Sequence, residues 1–142
     1  MNLAELITEL YCNLIFLIKK IAKRNNLSQS QFFCIYAIPS DGISQSDLAK
    51  ILCLDLSTLS RNLDKLIIKK YVKKKSSLLD KRKQKIFLTD VGNKIYFNSL
   101  NDLNKSLSEL YKNSNELQDI DSIINSISQL NWLLLKDRYD NA

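Results

Sequence analysis

Apolar residues near the start of the chain recur at three- and four-residue steps: Leu3, Leu6, Ile7, Leu10, Leu14, Leu17, Ile18 and Ile21. That spacing places them on one side of a helix over Leu3–Arg24. A second helix is predicted to open at Leu27-Ser28-Gln29-Ser30-Gln31-Phe32. There Ser28 caps the first turn, Gln31 reaches back to it, and Leu27 staples to Phe32. Pro39-Ser40-Asp41-Gly42 marks the turn that ends it. The start signal returns at Ile43-Ser44-Gln45-Ser46-Asp47-Leu48 and predicts a short third helix ending near Leu52. After a tight turn at Cys53 and Leu54, Asp55 caps a fourth helix that runs to about Lys69. Two short capped helices joined by about four residues form a helix-turn-helix pattern.

At about 100° per residue, Leu59, Leu63, Leu66 and Ile67 share one side of the fourth helix. Thr58, Arg61 and Lys65 lie opposite, flanked by Ser57 and Asn62. Such a stripe is usually a solvated face. It also suits base edges and phosphates, and its place in a helix-turn-helix favours that reading. Tyr71–Lys75 and Gln84–Leu88 read as two strands of a hairpin, a wing over about 71–88, with Asp80, Lys81, Arg82 and Lys83 near its tip. Thr89 or Asp90 caps a fifth helix, and Gly92 in its first turn predicts close packing. Asn113-Ser114-Asn115 breaks that helix. A sixth runs over Leu117–Tyr139 with Ile120, Ile123, Ile124, Ile127, Leu130, Leu133 and Leu134 on one face.

Charge sharpens this picture. Of the 21 lysines and arginines, 11 lie between Arg61 and Lys85, with only Asp64 and Asp80 to offset them. That stretch carries +9, while the rest of the chain, with 10 basic and 13 acidic residues, carries −3. A single basic block beside an acidic remainder points to a polyanion-binding surface. Histidine is absent, which removes the commonest general base and metal ligand. Without a phosphate loop or metal-ligand spacing as well, the chain is expected to be no enzyme and to hold no cofactor and no metal. Cys12, Cys34 and Cys53 are odd in number and widely spaced, so thiols are expected rather than disulfides. The apolar runs are too short for a membrane span and no signal peptide is evident, so a cytoplasmic location is expected.

Two blocks are similar to the MarR family of winged helix-turn-helix regulators. One is Leu48-Ala49-Lys50 with Leu54-Asp55-Leu56-Ser57-Thr58-Leu59-Ser60-Arg61. The other is Asp80-Lys81-Arg82 followed by Leu88-Thr89-Asp90-Val91-Gly92. The resemblance implies a homodimer on a pseudo-palindromic operator of double-stranded DNA, usually a repressor relieved by a small-molecule effector or by oxidation. It implies that Thr58, Arg61, Asn62 and Lys65 enter the major groove and Arg82 the minor groove. Lys70 and Cys53 depart from it, each standing where the family commonly has glycine.

The expected fold is mainly α: about six helices, a two-stranded wing, and terminal helices that form a dimerisation region. Residues 1–26 make an N-terminal dimerisation helix, 27–100 the DNA-binding domain and 101–142 the C-terminal dimerisation helices. Leu3, Leu6, Leu10, Leu14, Ile120, Ile124, Ile127, Leu130 and Leu134 are expected at the dimer interface, since a winged domain of about 70 residues already has a core. Lys73, Lys74 and Lys75 join the wing tip as DNA contacts. Tyr11, Phe32, Phe33, Tyr36 and Tyr96 are candidates for a ligand cleft, although aromatic residues at helical spacing are more often core. The alternative is a nucleoid-architectural or protein-interaction module with little sequence preference.

Overall fold

A computed structural model describes residues 2–76, 84–112 and 120–140. Among them are six helices: α1 (Leu3–Arg24), α2 (Gln29–Ala37), α3 (Gln45–Leu52), α4 (Leu56–Ile68), α5 (Asp90–Lys112) and α6 (Ile120–Asp140). Three strands, β1 (Ile43–Ser44), β2 (Val72–Ser76) and β3 (Gln84–Leu88), form an antiparallel sheet in the order β1-β3-β2. The mainly α winged fold is as expected, with one correction: the wing hairpin is joined by a third strand. Two residues are too few to show a period of two, so β1 left no pattern in the sequence. The wing tip and residues 117–119 of the expected sixth helix lie outside the described residues.

Helix starts follow the capping chemistry. Ser28 and Gln31 form a reciprocal capping box, at 3.2 Å for Gln31 N–H to Ser28 Oγ and 3.1 Å for Ser28 N–H to Gln31 Oε1. Asn2 and Glu5 form another, both bonds at 2.9 Å, which the sequence reading had passed over. At α3 the box is incomplete. Asp47 N–H donates to Ser44 Oγ at 3.1 Å, but the shorter Asp side chain takes the Ser44 hydroxyl proton at 2.6 Å instead of reaching the backbone.

Helix ends share one solution. Asn26, Cys53 and Lys70 adopt left-handed φ of 56°, 52° and 60° just past α1, α3 and α4. In each case the left-handed residue and its successor bond back over the last turn, as with Lys70 N–H to Ile67 O at 2.8 Å and Tyr71 N–H to Leu66 O at 2.9 Å. These are Schellman ends, in which glycine or asparagine is the usual left-handed residue.

Residues Met1–Lys105 form one compact unit and Ser106–Ala142 a second. The core of the first unit joins Ile21 and Ala22 of α1 to Phe32, Cys34 and Ile35 of α2, Leu48 of α3, Leu59, Leu63 and Leu66 of α4, and Val72 and Ile86 of the sheet. Residues 1–26 therefore share a unit with the winged helix. The N-terminal part of α1 is different: Leu3, Leu6, Ile7, Leu10 and Leu14 are exposed. In the second unit, Ile120, Ile124, Ile127, Leu133 and Leu134 of α6 are exposed as well, and Leu130 is half-buried. Among the described residues no helix is long and apolar enough to cross a membrane.

Candidate nucleic-acid interface

α4 is anchored at both ends. Asp55 caps it by accepting Thr58 N–H at 2.8 Å. The Ser57 hydroxyl also donates to Asp55. These donors, Ser57 first among them, hold the Asp55 carboxyl well below the usual carboxylate range. At the other end Lys69 Nζ reaches the Asn26 carbonyl at 2.5 Å and Gln31 Oε1 at 3.4 Å, tying α4 to the start of α2. Leu59, Leu63 and Leu66 bury the inner face completely. The outward stripe is thereby fixed.

That stripe holds the sequence-predicted residues unequally. Ser57, Arg61 and Lys65 are exposed, whereas Thr58 and Asn62 are half-buried at its edge. Asn62 Nδ2 donates to the Thr58 carbonyl at 3.2 Å, so part of its amide is committed within the helix. Arg61 is exposed and makes no ion pair among the described residues. Asp64 and Ile68 are exposed on the same stripe, Ile68 at 79%, and sequence reasoning missed both. Their signal was available: they stand three and seven residues beyond Arg61, the spacing of a helix face.

The sheet divides the three lysines of β2. Register pairs Lys73 with Phe87, Lys74 with Ile86 and Lys75 with Lys85. Side chains alternate along a strand. Lys73, Lys75, Lys85 and Phe87 therefore share one face, and Lys74 shares the other with the buried Val72 and Ile86. Lys75 and Lys85 stand directly opposite each other, an unfavourable like-charge pair. Two contacts soften it: Lys75 Nζ lies 5.5 Å from the centre of the Phe87 ring, and Lys85 Nζ donates to the Asp41 carbonyl at 3.3 Å. Phe87 also explains Gly42, where a Cβ would sit 2.5 Å from the ring. The predicted tip residues Asp80, Lys81, Arg82 and Lys83 lie outside the described residues.

The aromatic candidates do not form one group. Tyr36 and Tyr96 stack with ring centres 6.2 Å apart, and both line a cavity of about 360 Å³ with Ile38, Pro39, Ser40, Leu88 and Asn93. Phe32 is core and packs edge-on against the half-buried Phe33 at 5.7 Å. Tyr11 is exposed on α1 and lines neither this cavity nor the smaller void behind the two tyrosines. Phe32 lines that void with Tyr36 and Tyr96, and the void reaches Ser99, whose buried hydroxyl has no hydrogen-bond partner among the described residues.

The cysteines are unlike one another. Burial pushes the Cys34 thiol up to about 11, while Cys12 and Cys53 lie at the surface. Among the described residues no cluster of His, Cys, Asp and Glu could hold a metal ion.

Comparison with known proteins places this geometry. The model of the MarR family matches residues 27–83. Wild-type MarR from E. coli, in its apo form, superposes with a TM-score of 0.73 at 26% identity, over 96% of each chain. The F27L mutant of MepR from S. aureus, bound to an oligodeoxyribonucleotide, gives 0.66 at 21% identity, over 94% of this chain and 99% of that one. CouR from Rhodococcus jostii RHA1, bound to p-coumaroyl-CoA, gives 0.74 at 14% identity, over 91% and 88%. At those identities the last two share the fold. No curated protein sequence matches.

Proposed function

We propose that this chain, a winged helix-turn-helix protein of the MarR family, is a transcriptional regulator that binds a pseudo-palindromic DNA operator as a homodimer and represses from it. One observation carries the reading: the exposed Ser57–Arg61–Lys65 stripe of α4 stands on the second helix of a helix-turn-helix, in a stretch of charge +9. Arg61 reads a guanine, and Lys65, Lys73 and Lys75 neutralise phosphates. Asp80, Lys81, Arg82 and Lys83 extend that contact into the adjacent minor groove. The crowding of Lys73, Lys75 and Lys85 on one sheet face is relieved by a polyanion.

A small-molecule effector occupies the cavity at Tyr36 and Tyr96. Leu88 at the foot of the wing and Pro39-Ser40 before β1 line the same cavity, so its occupant touches the supports of α3 and the wing. Two chains of this fold were solved with such partners, DNA in one and an aromatic thioester in the other.

Selection of genomic fragments on the purified protein, followed by salt titration against the selected and a random duplex, tests the reading. A regulator binds its operator about 10³-fold or more tightly than random DNA. Equal affinities, both collapsing with salt, would instead leave an architectural binder with little sequence preference.

A further inference from the structure

The first turn of α4 offers a different chemistry from the one its residue types suggest. A hydroxyl has one proton to give. Ser57 gives its proton to Asp55, and the Thr58 N–H is bonded to the same carboxylate. For any further partner the Ser57 hydroxyl keeps only lone pairs, Thr58 adds its methyl group, and the donors of this turn are the backbone N–H groups of Leu56 and Ser57. The large side chain in this turn is apolar. Leu56 is the first residue of α4 and is 55% exposed. The core takes Leu59, Leu63 and Leu66 from this helix and does not include Leu56.

An isolated exposed leucine is ordinarily unremarked surface. This one stands at the leading end of the second helix of a helix-turn-helix, where N-terminal residues meet base edges. It is one residue from Ser57 and five from Arg61, beside a stretch of charge +9. Along the major groove the apolar group on a base edge is the C5 methyl of thymine. A leucine set against an amino group or a carbonyl oxygen would strip water from it and return no hydrogen bond.

We propose that Leu56 is a specificity-determining residue that packs on the methyl group of a thymine in the operator half-site. Asp55 is the positioning residue: it takes the Ser57 hydroxyl proton and, through the Thr58 N–H, fixes the first turn that carries Leu56. The inference rests on the reading of the chain as an operator-binding regulator.

The test uses the full chain and an operator obtained by selection. Each thymine of the half-site is replaced in turn by uracil, in both half-sites. This removes the methyl group and keeps base pairing. At one position the change should weaken wild-type binding about fivefold or more. Leu56→Ala should bind the thymine operator as weakly as wild type binds the uracil operator, and should show no further loss with uracil. Random DNA should bind both proteins alike, and circular dichroism should show an unaltered fold, since Leu56 is outside the core. Uracil without effect at every position, or an equal uracil loss in Leu56→Ala, would overturn the proposal and leave operator binding intact. A selection that yields no consensus would overturn the operator reading itself.

Discussion

At the scale of single residues, two neighbouring positions carry opposite backbone demands. Lys70 is left-handed at φ 60°, a conformation that costs a side-chain-bearing residue about 1 kcal/mol or more. Glycine avoids the clash, so Lys70→Gly is expected to stabilise the fold by up to about 1 kcal/mol. Gly92 is the reverse case. A Cβ there would lie 2.0 Å from the Tyr71 carbonyl oxygen, with backbone on the far side of the contact. Gly92→Ala is expected to cost about 3 kcal/mol. Urea unfolding of both variants measures the pair, and opposite signs are the expected result. Cys34 gives a pH dependence. Its thiol is neutral in the fold up to about 11, against an ordinary value of 9.0. The unfolded chain therefore ionises first. Stability should be full below about pH 9 and decline towards pH 11, by roughly 2–3 kcal/mol. Subtracting the curve of Cys34→Ala isolates this term from the tyrosines and lysines.

At the scale of elements, the proposed function divides the work of binding between α4 and β2. Arg61→Ala should weaken specific DNA by about 1–3 kcal/mol and barely affect random DNA. Lys73→Ala should weaken both alike and reduce the salt slope by about one unit. Fluorescence anisotropy with the two duplexes at several salt concentrations separates these outcomes. Equal losses for both variants would contradict the division. The elements themselves were largely legible in the sequence, because Ser28, Ser44 and Asp55 announce their helices and the apolar spacing in α1 and α4 is regular. Other features were less so. β1 is too short to carry a pattern. Cys53 and Lys70 end helices without the residue that usually marks such ends. The direction of each hydroxyl proton is a matter of three-dimensional contact, so the commitment of Ser57 to Asp55 left no mark in the sequence. Tyr36 and Tyr96 are 60 positions apart, and nothing local announces that they meet while Tyr11 stays apart.

At the scale of the molecule, α1 and α6 each carry an exposed apolar face. Leu3, Leu6, Leu10 and Leu14 leave a surface that water does not favour, and so do Ile120, Ile124 and Ile127. A homodimer covering both would bury roughly 2,000 Å² or more, the range of obligate interfaces. Wild-type protein should therefore show a dimer mass by light scattering. Leu6→Glu combined with Leu10→Glu should give monomers or aggregates and lose operator affinity. A stable dimer from that double variant would exclude α1 from the interface.

Thr89 joins the end of α4 to the start of α5. Thr89 donates its hydroxyl to the Lys70 carbonyl at 2.6 Å, its N–H donates to the Tyr71 carbonyl at 3.0 Å, and its Oγ1 accepts Gly92 N–H at 3.0 Å. With Gly92 pressed on Tyr71, the end of α4 and the first turn of α5 are welded into a corner with no slack. A weld transmits torque and absorbs none. A rotation of the start of α5 is therefore expected to carry the end of α4 with it, and on the proposed reading an adjustment to operator spacing would fall to other joints of the chain.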